Sequence, residues 1–176
     1  GPIMLAILFT TTFLGAIYVL YTFMAPLLST SMDYGRDGIT AILLVFGLGA
    51  VFGNLLGGRL ADRFGAAQTL TILAVVQVLM LPFYSALPMP GWLLFGFTLI
   101  WSIAGWSFAA GQQLRLVQLS GTQAQVALSL NAAAIYIGAA GGSAAGGVVV
   151  ARFGVDALGI TAALGCLLSV IHIVVS

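Results

Sequence analysis

The sequence predicts an all-α membrane protein: a single domain over residues 1–176 whose six transmembrane helices form a 3+3 inverted repeat. Three observations point there. First, the chain is 61% hydrophobic and only 5% charged, whereas a water-soluble domain carries roughly a quarter of its residues as charges. Second, its five cations, all arginine, and four acids, all aspartate, fall between six apolar stretches. Each stretch is about 20 residues long, the length that crosses a ~30 Å hydrocarbon core as a helix. Third, GGRLADRFG from Gly57 and GGVVVARFG from Gly146 both read Gly-Gly, four residues, Arg-Phe-Gly at the end of a helix. Three crossings separate the copies, so they fall on opposite sides of the membrane.

The predicted helices are 4–28, 39–56, 66–87, 91–114, 124–150 and 157–175, separated by STSMDYGRDG, GGRLADRFG, PMPG, RLVQLSGTQ and RFGVD. The first is too long for a signal peptide, and it has neither a charged leading region nor a clear cleavage site. Gly1-Pro2, with no initiator Met, reads as the remnant of a cleaved purification tag, the alternative being a natural processed end. The first helix carries Thr11, Gly15, Tyr18 and Thr22 on one face with Tyr21 beside it. The second repeats glycine at every fourth position, Gly49, Gly53 and Gly57, and holds Asn54. The third has Gln77 at mid-depth, which suits a structural hydrogen bond better than a solute contact. The fourth presents Thr98, Ser102, Gly105 and Gln112 at helical spacing, flanked by Trp101 and Trp106. Trp101 lies near the bilayer centre, too deep for the interfacial belt that suits Trp92, and so suggests an aromatic wall, ordinary helix packing being the other reading. The fifth aligns Asn131, Gly138, Gly142 and Gly146 on one face and adds Tyr136. The sixth holds the single Cys166, and His172 near the cytoplasmic end.

Arginine placement orients the chain. The 2–3 and 4–5 connections hold Arg59, Arg63 and Arg115 against Asp62 alone; the other three hold Arg36 and Arg152 against Asp33, Asp37 and Asp156. Both termini are therefore expected in the cytoplasm. No Asp or Glu lies inside a span, so the chain lacks the usual proton-carrying carboxylate. An enzyme is not expected. Ser143 and His172 are predicted on the order of 20 Å apart in height, and no metal cluster, phosphate loop or cofactor motif is present. A channel lacks its polar pore ring. No cofactor and no nucleic acid is expected.

In order and spacing, "YTFMAPLL", "LLVFGLGAVFGNLLGGRLADRFG", "GQQLRLVQL" and "SLNAAAIYIGAAGG" resemble the major facilitator superfamily, specifically the carboxy-terminal six helices of its bacterial drug:proton antiporter and sugar-efflux branch. Gly58, Leu60, Ala61, Asp62, Arg63 and Gly65 match the superfamily's loop signature, Gly-x-Leu-Ala-Asp-Arg-x-Gly-Arg-Arg; Ala66 and Ala67 stand where its basic pair follows. The resemblance implies half of a major facilitator fold in the bacterial inner membrane, handling a small amphipathic solute. It implies that Asp62 latches the cytoplasmic side on a helix N-terminus of the other half, with Arg59 and Arg63 holding the segment. It also implies a solute cavity from the first and fourth helices (Thr11, Tyr18, Tyr21, Thr22, Thr98, Trp101, Ser102, Trp106, Gln112) with Asn131 and Tyr136. The glycine stripes Gly49/Gly53/Gly57 and Gly138/Gly142/Gly146 would then meet an amino-terminal six-helix half or a second copy of the chain; close packing within one bundle is the other reading of such spacing. A membrane assembly module that dimerises without moving solute is the alternative function.

Overall fold

The computed structural model describes residues 1–175, which contain helices and short connections and no strand. The first crossing is two helices, α1 (Pro2–Tyr21) and α2 (Met24–Ser31), rather than one over 4–28. Pro26 is the cause: it has no N–H for the Thr22 carbonyl, and its ring crowds the carbonyl four residues back. The second crossing, α3 (Arg36–Phe64), outruns the expected 39–56 at both ends. Nothing breaks it before Gly65, whose φ of 83° is cheap for glycine and costly for other residues. The third is α4 (Ala66–Met80), tightening into a 3-10 turn at Leu81–Ser85 where Pro82 withdraws a donor. The fourth is α5 (Gly91–Trp106) and α6 (Phe108–Ser120), jogged at Ser107 and six residues longer than the expected end at 114. The fifth, α7 (Ala124–Phe153), stops at Gly154, again with φ 83°. The last is α8 (Leu158–Val175).

Five helical stretches are long and apolar enough to cross a membrane. One of them, Gly91–Phe153, runs for 63 residues, about 95 Å if straight, and instead folds back at Gly121 (φ 51°). The proof of reversal is that Gln112 before the turn and Asn131 after it both bond to Thr10.

Packing skips sequence neighbours. α1 lies along α7 and α8, α3 along α5, and α4 against α8. The glycine stripes close two of these seams from within, which corrects the expectation that they form an outer face for another bundle. Gly49, Gly53, Gly57, Gly138, Gly142 and Gly146 are all buried inside this one. A Cβ on Gly138 would stand 2.5 Å from the Thr11 carbonyl oxygen and one on Gly146 2.7 Å from that of Val19, while one on Gly142 would run into Gly15. On the other seam, a Cβ on Gly53 would stand 2.5 Å from the Ile103 carbonyl oxygen, one on Gly49 2.7 Å from the Ser102 Cβ, and one on Gly57 would run into Ser107. Lipid gives helices no hydrophobic drive to associate, so close backbone approach supplies the attraction. Each glycine of α7 lies 89 positions after its counterpart on α3, and the carbonyl oxygens of Leu99, Ile103 and Ser107 on one seam stand as those of Thr11, Gly15 and Val19 do on the other.

Away from these stripes, α3 and α7 are bare: Leu44, Leu48, Val51 and Leu55 on α3, and Tyr136, Ile137, Ala140 and Ala144 on α7, are exposed. The aromatic core sits between α1, α3 and α5. Trp101 is fully buried, with ring centroids 4.8 Å from Phe46 and 5.2 Å from Tyr84, and Tyr21 stacks on Phe46 at 4.7 Å.

Candidate solute site

Where α1, the α5–α6 jog and α7 meet, a cavity of about 110 Å³ opens, lined by Leu14, Tyr18, Trp106, Phe108, Ala109, Gln113, Asn131 and Ile135. The jog puts Trp106 on the cavity side, while Ser107 turns inward and donates its hydroxyl to the Gly53 carbonyl. Behind the wall lies a hydrogen-bonded brace. Thr10 Oγ1 donates to Asn131 Oδ1 at 2.6 Å, and Gln112 Nε2 donates to the Ala6 carbonyl at 2.6 Å and to Thr10 Oγ1 at 2.9 Å. Engaging Oδ1 leaves the Asn131 Nδ2 group as the donor on the cavity side. The lining is therefore two aromatic side chains with polar tips, two amides and hydrocarbon, with no charge. Such a surface holds an uncharged or amphipathic solute by stacking and a few hydrogen bonds.

Of the expected cavity residues, Tyr18, Trp106 and Asn131 come together here. Tyr21 packs edge-on to Tyr18 at 5.8 Å, next to the cavity. The others are elsewhere. Thr98, Trp101, Ser102 and Gln112 are fully buried: Thr98 and Tyr84 share a hydroxyl bond of 2.7 Å, Ser102 donates to the Phe46 carbonyl, and Gln112 belongs to the brace. The polar stripe of the fourth crossing thus joins helices instead of facing a vestibule, because a polar side chain within lipid finds its partner on the neighbouring helix. Gln77, as expected, serves structure by donating to the Trp101 carbonyl at 3.1 Å. Thr11 bonds the Ile7 carbonyl of its own helix. Thr22 bonds Ser143 at 2.7 Å, and Tyr136, 76% exposed, sits on the bare face of α7. Asn54 is exposed and donates to the Ala50 carbonyl. Gln113, Leu14, Phe108 and Ile135 were not anticipated; the doubled glutamine of GQQLRL was the available signal for the first.

The signature Gly58, Arg59, Asp62, Arg63 lies on the last turns of α3, with Gly65 at the turn, so it is helix more than loop. Arg59, Asp62 and Arg63 are exposed, and the Arg63 guanidinium carbon lies 5.3 Å from the Phe64 ring centroid. Among the described residues no hydrogen bond or ion pair engages Asp62. His172 is half-buried in the last turn of α8, with Nδ1 3.2 Å from Thr12 Oγ1. Thr12 and Thr22 are about 15 Å apart along the helix, so their partners His172 and Ser143 form no nucleophile–base pair.

Comparison with known proteins agrees with this architecture. No protein-family profile matches the chain. The inner membrane transport protein YdhP of Escherichia coli K12 is 32% identical over 155 residues, covering 85% of this chain and 38% of that protein. An uncharacterized MFS-type transporter, YbcL of Bacillus subtilis, is 26% identical over 92% of this chain and 42% of its own length, and a probable sugar efflux transporter of Helicobacter pylori J99 is 27% identical over 85% and 38%. The chain spans about two fifths of the length of these relatives. Along most of its sequence the chain, with its membrane-length helices, is thus homologous to about two fifths of the length of transporters of the major facilitator type.

Proposed function

We propose that the chain is one bundle of an alternating-access carrier for small amphipathic solutes, the carboxy-terminal half of a major facilitator fold in a bacterial inner membrane with both termini cytoplasmic. The observation that carries this reading is the uncharged cavity of Tyr18, Trp106, Gln113 and Asn131, which lies on the α1 and α6 side of the bundle. The matched glycine seams and the twin helix stops at Gly65 and Gly154 support a 3+3 inverted repeat, with crossings 1–3 counterpart to 4–6. The bare faces of α3 and α7 are where an amino-terminal bundle or a second copy docks. Asp62, exposed at the inner end of α3, is the cytoplasmic latch, seated on a helix N-terminus of that partner when the carrier opens outward. The four aspartates lie only in connections or end turns (Asp33, Asp37, Asp62 and Asp156), away from the middle of any crossing, so proton coupling belongs to the partner bundle.

Counterflow of labelled amphipathic solutes into liposomes tests the reading, together with quenching of tryptophan fluorescence in a Trp92→Phe background, where Trp106 faces the cavity and the other remaining tryptophan, Trp101, is fully buried. Solute-dependent quenching lost in Asn131→Leu is expected. Absence of both quenching and counterflow would favour an assembly module that dimerises without transport.

A further inference from the structure

A second groove lies between the last turns of α3 and the first turns of α4, at the end of the bundle that the proposed orientation makes cytoplasmic. It is wholly apolar at its surface, has a volume of about 130 Å³, and is lined by Leu60, Phe64, Thr69, Ile72 and Leu73. Two features are unusual for a plain lipid-facing crease. Thr69 is 98% buried, yet its hydroxyl has no hydrogen-bond partner although the residue lines the groove. An unmade bond at such a site is costly. And a guanidinium stands at the rim: Arg63 lies over the ring of Phe64, itself a wall of the groove. Beside it begins α4, whose first-turn N–H groups at Ala66, Ala67 and Gln68 have no helical acceptor. At 100° per residue, Arg63 is about 80° around α3 from the Leu60–Phe64 edge, whereas Asp62 is on the opposite side. The acid therefore does not oppose an anion at this rim.

We propose that this groove binds one acidic phospholipid of the inner leaflet, with an acyl chain along Leu60, Phe64, Ile72 and Leu73. Its phosphate pairs with Arg63 and the α4 N-terminus, and the Thr69 hydroxyl, covered by the groove wall in this structure, rotates to donate to a glycerol ester oxygen as the lipid seats. The charge complementarity selects an anionic headgroup, and the apolar lining selects a chain-bearing ligand over a free phosphate ion. Asp62 and Arg63, adjacent in sequence, then serve different partners from different faces of one helix.

Native mass spectrometry of the delipidated chain in detergent tests this with phosphatidylglycerol, phosphatidylcholine of the same acyl chains, and inorganic phosphate as probes. One phosphatidylglycerol should be retained in preference to phosphatidylcholine. Arg63→Gln should weaken phosphatidylglycerol about fivefold and leave phosphatidylcholine unchanged, and Thr69→Val should weaken phosphatidylglycerol by about threefold to tenfold. If Thr69→Val does not stay monodisperse, Leu60→Trp, which fills the groove from an exposed helix, gives the same readout. A photoactivatable phenylalanine in place of Ile72 should yield a lipid adduct. Equal retention of the two lipids, no change with Arg63→Gln, competition by phosphate alone, or a crosslink from position 72 to a second polypeptide would each overturn the proposal.

Discussion

Adjacent glycines of α7 provide a test of opposite signs. Gly141 has open space where a Cβ would stand, whereas a Cβ on Gly142 would meet the Gly15 backbone. Replacing a mid-helix glycine by alanine gains about 0.5–1 kcal/mol of backbone entropy where nothing is hit, so Gly141→Ala should stabilise by about that much. At Gly142 the obstacle is a main-chain carbonyl, which no rotamer change can relieve. The scale of the required movement follows from the neighbouring contact: a Cβ on Gly138 sits 2.5 Å from the Thr11 oxygen, and ordinary contact begins at 3.4 Å, so α1 and α7 must part by nearly an ångström. Overpacking of this kind costs about 1–3 kcal/mol. Because the obstacle is rigid, the upper end applies, and Gly142→Ala should lose about 2 kcal/mol net. Reversible unfolding of each variant in mixed micelles by SDS titration reads both. Equal midpoints for the two variants, or a Gly142→Ala protein as stable as the parent, would refute the internal seam and return the stripe to an outer surface.

Other expectations follow from the same coordinates. Gly154→Ala and Gly65→Ala place a Cβ at φ 83° and should each cost about 1–2 kcal/mol, read in the same titration. A double-mutant cycle of Thr10→Val and Asn131→Ala should return a coupling of about 0.6 kcal/mol, the average for hydrogen bonds between membrane helices, far below the value implied by a bond of 2.6 Å in isolation. Asp62→Asn should leave the stability of this bundle within ~0.5 kcal/mol, since it is an exposed side chain, and alter transport only once a partner bundle is present; a large stability loss would assign Asp62 to this bundle instead. Pro26→Ala should restore the missing main-chain donor and slow amide exchange around Thr22, measurable by hydrogen–deuterium exchange.

The crossings were legible because charges and turn residues punctuate apolar runs whose length the bilayer fixes. So was the use of the glycine stripes for close approach, but spacing does not say which helix approaches. That is settled by azimuth, and sequence periodicity gives only relative azimuth. Trp101 shows the same limit. Position along an apolar run does not distinguish a core from a vestibule, and Trp106, about 140° further round the helix, is the tryptophan that faces the cavity. The break in the first crossing was written in the sequence as Pro26, whereas the jog at Ser107 has no comparable residue signal and depends on the seam with Gly53 and Gly57. Thr10 could be recognised as polar within a threonine run, but its partners lie 102 and 121 positions away.

That separation shapes how the protein is made. The helix α1 finds its main neighbours, α7 and α8, only after more than a hundred further residues have been synthesised. At roughly 5–20 residues per second, about 6–24 s pass between the emergence of Thr10 and of Asn131. Meanwhile α1 must be held by lipid or by the insertion machinery with its threonine and its Gly15 main chain unmatched, and the bundle closes only when α7 and α8 arrive.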